Sequence, residues 1–166
     1  MSNKNDFKPY ISADKVLPEL TVTSIIIGLI LAVVFGAANA YLGLRVGMTI
    51  SASIPAAVIS MGIIRVIMRR NSILENNMVQ TIGSAGESLA AGVIFTLPAL
   101  FMWAAESSSV VAPSFWNIAM LGLFGGILGV LFMIPLRNAL IVEEHGVLPF
   151  PEGTACAEVL LAGEEG

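Results

Sequence analysis

Four long apolar stretches constrain the fold of this chain more than any single motif. They run over Leu20–Leu44, Met48–Met68, Met78–Trp103 and Phe115–Leu136. At about 1.5 Å per helical residue, each covers the roughly 30 Å of a bilayer's hydrocarbon core. A soluble domain with 56% apolar and 12% charged residues would have too little polar surface to face water. The sequence therefore predicts an all-α integral membrane protein, a polytopic helix bundle with about four transmembrane helices.

Basic residues flank these stretches at alternate ends. Lys4, Lys8 and Lys15 precede the first stretch, Arg65, Arg69 and Arg70 close the second, and Arg137 follows the fourth. The connection over 104–114 has no Lys or Arg. By the positive-inside rule, we expect a multi-pass protein of the cell membrane with its N-terminus in the cytoplasm and an even number of crossings.

The polar segments at both ends are too short to bury a core of their own. We divide the chain into a cytoplasmic N-terminal tail (1–19), a four-helix transmembrane region (20–136), and a cytoplasmic loop with the start of a further membrane segment (137–166). The helix-compatible run after Pro151 is too short to span, so we expect it to open a re-entrant or fifth helix of a longer, truncated protein. An interfacial helix is the alternative, although its acidic residues gain nothing from anionic lipid.

Small residues recur at every fourth position of two stretches, a pattern that is typical of close helix packing in membranes. One stripe lies in the first stretch and another in the third: Gly28, Ala32, Gly36 and Ala40; Ser84, Ser88 and Gly92. We expect both stripes to mark helix contacts.

Glu87 is the strongest candidate for chemistry, because it lies near the middle of the third apolar stretch. A carboxylate at membrane depth normally faces a bundle interior, a cavity or a partner. Such a group could take up and release a proton and couple that exchange to transport. A static role as a hydrogen-bonded packing residue is an equal alternative.

Arg45 breaks the charge pattern and lies in the connection Tyr41–Met48, where Gly43 and Gly47 permit an interrupted backbone. It could hold an anionic substrate group or pair with Glu87, and anchoring at the outer headgroups is an equal alternative. Asn39 and Gln80 are weaker candidates for the substrate path.

The chain offers little material for a metal or catalytic site. One cysteine and one histidine exclude an internal disulfide and the usual cysteine-based zinc or iron–sulfur sites. Glu143, Glu144 and His145 are adjacent and so do not form the i, i+4 pair of a helical metal site. We therefore expect no metal, no cofactor, no catalytic residue and no nucleic-acid partner, and a protein that is not an enzyme.

Three sequence blocks carry a family resemblance. They are Asn39–Pro55 (NAYLGLRVGMTISASIP), Glu75–Ser88 (ENNMVQTIGSAGES) and Leu148–Glu158 (LPFPEGTACAE). In this order they resemble the N-terminal part of the oligopeptide transporter family, in the prokaryotic branch that is related to the yellow-stripe-like metal-chelate transporters.

The resemblance implies a secondary transporter that moves oligopeptides or peptide-like metal chelates and is driven by a proton gradient. Its partners would be the lipid bilayer, the substrate, protons and the remaining helices of the full-length transporter. The resemblance also implies a discontinuous helix that begins at Pro151, whose first residues Glu152, Gly153 and Thr154 would present amides to an anionic substrate group. The roles of Glu87, Arg45 and Thr154 are inferred from position.

A small four-helix membrane subunit or scaffold, without transport activity of its own, is the alternative function. Glu87 and the break around Gly43 favour the transporter, because a scaffold needs neither feature.

Overall fold

The computed structural model describes residues 10–12, 14–70, 72–107, 109–144 and 146–165. The predictions that rest on Lys4, Lys8 and His145, and the first part of the predicted N-terminal tail, lie outside these residues. The described chain forms α1 (Val22–Val46), α2 (Ser53–Met61), α3 (Ile73–Glu106), α4 (Phe115–Arg137) and α5 (Pro151–Glu165). Helices α2 and α4 continue as π-helices over Gly62–Ile67 and Asn138–Glu143. The described part is helical and contains no strand, which confirms the all-α prediction.

Three of the predicted spans are long, apolar helices in the structure. Val22–Val46, Ile73–Glu106 and Phe115–Glu143 are each long and apolar enough to cross a membrane. Helix α3 begins at Ile73 rather than at Met78, because the Ser72 hydroxyl accepts a hydrogen bond from the backbone N–H of Glu75 at 3.3 Å and caps the helix there. The structure thus has the architecture of a multi-pass α-helical membrane protein.

The second stretch differs from the prediction of one continuous span. Gly47 ends α1 in a left-handed conformation (φ 74°), and its N–H donates to the Gly43 carbonyl at 2.9 Å. Residues 47–52, which we call the broken segment, are not helical, and α2 starts only at Ser53. With its π-helical continuation, α2 reaches roughly 20 Å, which is shorter than the roughly 30 Å of a bilayer core. The predicted second span is therefore a non-helical segment followed by a short apolar helix.

Helices α1 and α3 pack side by side and run in parallel. Going along α1, Gly28 lies against Ile82, Gly36 against the backbone of Gly86, and Gly43 against Ile94. A Cβ placed on Gly36 would lie 3.1 Å from the Gly86 carbonyl oxygen, so the two backbones approach closely there. The stripe predicted on the first stretch is a packing face, as expected.

The partner face on α3 is not the predicted stripe of Ser84, Ser88 and Gly92. Gly83 and Gly86 meet α1 instead, and a Cβ on Gly92 would have no neighbour within 4 Å. Glycine has no Cβ and lets two helix backbones approach closely. Gly83 and Gly86 therefore form the α3 side of the contact with α1.

The buried core lies among α1, α2, α3 and α5. One cluster joins α1, α2 with its continuation, and α3 through Leu31, Ala56, Ile64 and Val79. A second joins α2, α3 and α5 through Ala57, Ile73, Cys156 and Leu160. Helix α4 has no buried residue in the described part of the chain, and its apolar side chains are free to meet lipid or further helices.

Candidate functional site

Asn39 of α1 holds the middle of the broken segment. Its side chain is buried, with 1% of the residue exposed. Its Nδ2 donates to the carbonyl oxygen of Ile50 at 2.9 Å, and its Oδ1 accepts from the N–H of Ile50 at 3.0 Å. Both backbone groups of a non-helical residue are thereby satisfied, which is the condition for irregular backbone at membrane depth. Asn39 therefore fixes the broken segment through two hydrogen bonds. It is not among the residues that line the cleft described below.

Glu87 of α3 reaches the end of the same segment. Its Oε2 accepts a hydrogen bond from the backbone N–H of Ala52 at 3.0 Å. Ala52 immediately precedes α2, so the half-buried carboxylate lies at the N-terminal end of that helix, where the helix dipole favours a negative charge. Glu87 faces the bundle, as expected for a carboxylate at this depth.

The beginning of α5 contacts the broken segment and the start of α2. The Ser51 hydroxyl of the segment donates to the carboxylate of Glu152. One turn further along α5, the Cys156 thiol lies 3.8 Å from the carbonyl oxygen of Ser53, the first residue of α2. The Thr154 hydroxyl instead donates to the Phe150 carbonyl oxygen at 2.8 Å, within its own helix turn. Glu152 therefore touches the segment, whereas Thr154 does not.

An open cleft of about 730 Å³ lies between α3 and α5, beside the start of α2. Four of the predicted residues line it together: Gln80, Glu87, Glu152 and Gly153. The remaining polar lining consists of four hydroxyls, an amide and a thiol, from Tyr10, Ser53, Ser84, Ser88, Asn77 and Cys156. Two carboxylates and several neutral polar groups thus line one cleft, which suits a polar ligand with a positive group or an exchangeable proton.

Arg45 is not part of this cleft. Its guanidinium lies 5.9 Å from the centre of the Tyr41 ring on the same helix, and the residue is exposed. Among the described residues the ion pair found is Arg70–Glu75, so the pairing of Arg45 with Glu87 that we considered from the sequence is not formed. Binding of an anionic substrate group and anchoring at the outer headgroups both stay predictions for Arg45.

Glu75 is a buried polar residue that sequence analysis did not single out. The residue is 0% exposed, its Oε1 accepts from the Thr21 hydroxyl at 2.6 Å, and the same oxygen lies 3.5 Å from an Arg70 nitrogen. Its other oxygen, Oε2, has no hydrogen-bond partner within the described chain. The Ser72-x-x-Glu75 spacing of a capping box marks the helix start. Nothing local in the sequence shows that the carboxylate ties α3 to the start of α1.

Cys156 is a buried free thiol on α5, outside the three spanning helices. Burial raises the pKa of the Cys156 thiol, and the charge of Glu152 raises it further. The protonated thiol is therefore the favoured form at neutral pH. Within the part of the chain that the structure describes, no group of three or more His, Cys, Asp or Glu side chains is placed to hold a metal ion.

The three spanning helices, the broken second helix and the polar cleft define a multi-pass α-helical membrane protein with an internal polar site. Residues 19–166 match the family model described as OPT oligopeptide transporter protein. The chain therefore belongs to the OPT family, which confirms the resemblance carried by the three sequence blocks.

The chain is also similar to a curated protein of known sequence length. A protein of Haemophilus influenzae, named as a proposed oligopeptide transporter, is 50% identical over 123 residues, which make up 74% of this chain and 18% of that protein. The chain thus corresponds to less than a fifth of the relative's length. No solved structure matches the chain at a significant level.

Proposed function

We propose that this chain forms part of a secondary transporter that moves oligopeptides or peptide-like metal chelates across the cell membrane, driven by a proton gradient. Membership of the OPT family and the name of the Haemophilus influenzae relative support the substrate class. The remaining helices of the full-length protein would complete the path.

The broken segment beside the cleft is the observation that carries this proposal. Secondary transporters build their substrate sites from discontinuous helices, whose free backbone groups and termini lie near the membrane midplane. Here residues 47–52 separate α1 from α2, and side chains of Asn39, Glu87 and Ser51 bind the segment or link it to α5. A scaffold without transport activity would gain nothing from a polar cleft next to such a break.

Proton coupling is assigned to Glu87. Its carboxylate accepts the Ala52 N–H, and a charged acceptor makes a hydrogen bond that is roughly twice as strong as a neutral one. Protonation of Glu87 would therefore weaken the link between α3 and the start of α2, while Asn39 continues to hold Ile50. Proton uptake would thus free one end of the broken segment and leave the other in place, which is a means of coupling a proton to a change in access.

We also propose that the N-terminus is cytoplasmic. The parallel packing of α1 and α3 places their first residues on the same side, and Arg65, Arg69 and Arg70 lie between α2 and α3 on that side. A topology reporter fused after Ser109 is expected to lie outside the cytoplasm. A cytoplasmic reporter at this position would reverse the orientation.

The test of transport uses the full-length protein in proteoliposomes with an imposed proton gradient. Uptake of labelled di-, tri- and tetrapeptides and of ferric chelates is measured for wild type, Glu87→Gln and the control Glu106→Gln. Glu106 ends α3, is exposed and does not line the cleft.

We expect gradient-driven uptake by wild type and by Glu106→Gln, and a loss of about tenfold or more for Glu87→Gln, because a glutamine amide cannot take up and release a proton as a carboxyl group does. Unchanged uptake and unchanged pH dependence in Glu87→Gln would remove Glu87 from coupling. Absence of uptake of every compound by wild type would overturn the transporter proposal itself.

A further inference from the structure

The described residues that line the cleft between α3 and α5 include acidic side chains but no basic ones. Its two ionisable carboxylates are Glu87 and Glu152, and among the described residues that line it there is no Lys or Arg. Arg65, on the continuation of α2, points elsewhere and donates to the Gly163 carbonyl near the end of α5. The lining therefore offers negative charge and neutral hydrogen-bonding groups to whatever enters.

Each of the two carboxylates uses one oxygen for a hydrogen bond to the broken segment and leaves its other oxygen free to accept from a ligand. Glu87 uses Oε2 on the Ala52 N–H, and Glu152 uses Oε1 on the Ser51 hydroxyl. In the described structure, Oε1 of Glu87 and Oε2 of Glu152 accept no hydrogen bond. Their anchors, Ser51 and Ala52, are neighbouring residues, so both carboxylates bind the same end of the broken segment.

A cleft that carries two carboxylates and no Lys or Arg among its described lining residues favours a positively charged ligand. One proton and one organic cation would neutralise the pair together. Since Glu87 carries the proton in the proposed mechanism, Glu152 remains to pair with the cation.

The start of α5 is correspondingly a poor place for an anion. The carboxylate of Glu152 lies in the first helical turn and offsets the positive end of the helix dipole. The Thr154 N–H, which we expected to be among the amides offered to substrate, already donates to the Phe150 carbonyl oxygen at 2.9 Å. A substrate carboxylate would meet like charge here.

Building on the proposed function, we propose that the cleft binds the N-terminal ammonium group of a substrate peptide through the carboxylate of Glu152, beside a protonated Glu87. A primary ammonium has three N–H donors, which the free oxygen of Glu152 and the neighbouring hydroxyl and amide oxygens of the lining can accept. The substrate class that this selects is peptides with a free amino terminus, in preference to anionic metal chelates.

The experiment compares four forms of one alanine tripeptide in proteoliposomes that contain the full-length protein. The forms are unmodified, N-acetylated, C-amidated and doubly blocked, and an anionic ferric chelate is the fifth compound. N-acetylation is expected to lower uptake by about tenfold or more, the factor expected from one hydrogen bond to a charged group, whereas C-amidation should change it by less than about twofold.

Glu152→Gln and Glu158→Gln serve as a matched pair on α5. Glu158 is exposed and does not line the cleft, while a glutamine at position 152 can still accept from Ser51. Glu152→Gln should raise the KM of the unmodified tripeptide about tenfold and reduce its advantage over the N-acetylated form, with the dependence on the proton gradient retained. Glu158→Gln should behave as wild type.

The outcomes separate the two proposals. Equal uptake of unmodified and N-acetylated tripeptide would overturn the ammonium assignment while leaving transport intact. Loss of uptake on C-amidation instead, or faster uptake of the ferric chelate, would show that the cleft selects an anion and would equally overturn it. If wild type takes up none of the five compounds, the transporter proposal fails first.

Discussion

The crossing of α1 and α3 at Gly86 positions Glu87, the next residue, and one added methyl group tests that dependence. A Cβ on Gly86 would lie 2.7 Å from the carbonyl carbon and from the Cα of Ala32. Non-bonded carbon atoms normally lie about 3.5–4.0 Å apart. Because both contacted atoms belong to the α1 backbone, no side-chain rotation relieves the clash. We expect Gly86→Ala to force the two helices apart by roughly 1 Å.

Two opposing contributions determine how Gly86→Ala changes the free energy of unfolding. Overpacking of this kind destabilises a protein by about 1–3 kcal/mol. Replacing glycine by alanine within a helix also contributes up to about 1 kcal/mol of favourable helix propensity. Gly92, on the same helix, would place a Cβ with no heavy atom within 4 Å, so Gly92→Ala carries the propensity gain without the clash. The free energy of unfolding of Gly86→Ala should therefore lie about 1–3 kcal/mol below that of Gly92→Ala.

Thermal unfolding of the full-length protein in one detergent, at one scan rate, measures this difference as a lower Tm for Gly86→Ala than for Gly92→Ala. Proton-driven uptake gives a second readout, since separation of α1 and α3 would move Glu87 away from the Ala52 N–H. Equal Tm values and equal uptake for the two variants would refute the reasoning that the glycine contact sets the site.

Three further predictions concern other parts of the bundle. Asn39→Ala should lower the free energy of unfolding by about 1–3 kcal/mol, because both backbone groups of Ile50 lose their hydrogen-bond partners, and it should make residues 47–52 accessible to protease. Asn77→Ala changes an exposed side chain and should have neither effect. Thr21→Val should lower the Tm, because it removes both the hydrogen bond to buried Glu75 and the cap on the Ser24 N–H at the start of α1. Thr96→Val loses only hydrogen bonds within its own helix and should change the Tm little. Maleimide labelling of Cys156, with any other cysteines replaced, should be slow at pH 7 and faster in alkaline solution, because the raised pKa keeps the thiol protonated at neutral pH. Fast labelling at pH 7 would contradict this.

The long apolar stretches were sufficient to predict α1, α3 and α4. A bilayer leaves backbone groups no partner except those in the same helix, so a run of apolar residues of spanning length is nearly certain to be helical. The same argument failed for the second stretch, where Met48–Ala52 is apolar enough for a helix but is not helical in the structure. Hydropathy does not register that Asn39 supplies the hydrogen bonds which a helix would otherwise provide.

The candidate site, like the helices, could be predicted from the sequence only in part. The chemistry of Glu87 as a carboxylate at membrane depth was evident from its position in the chain, and Gln80, Glu152 and Gly153 were also candidates. Only the packing of α5 against α2 and α3 brings these residues to one cleft, and it leaves Arg45 and Thr154 outside. Glu75 was missed because its partner Thr21 is distant in sequence.

The sequence by itself determined that this is an all-α membrane protein of the OPT family, because hydrophobic length and short motifs are properties of consecutive residues. Tertiary structure alone decided where the second helix breaks, which glycines meet and which carboxylates share a cleft. These features depend on hydrogen bonds and close contacts between residues far apart in the chain, and a hydropathy pattern, being a sum over neighbours, contains no information about them.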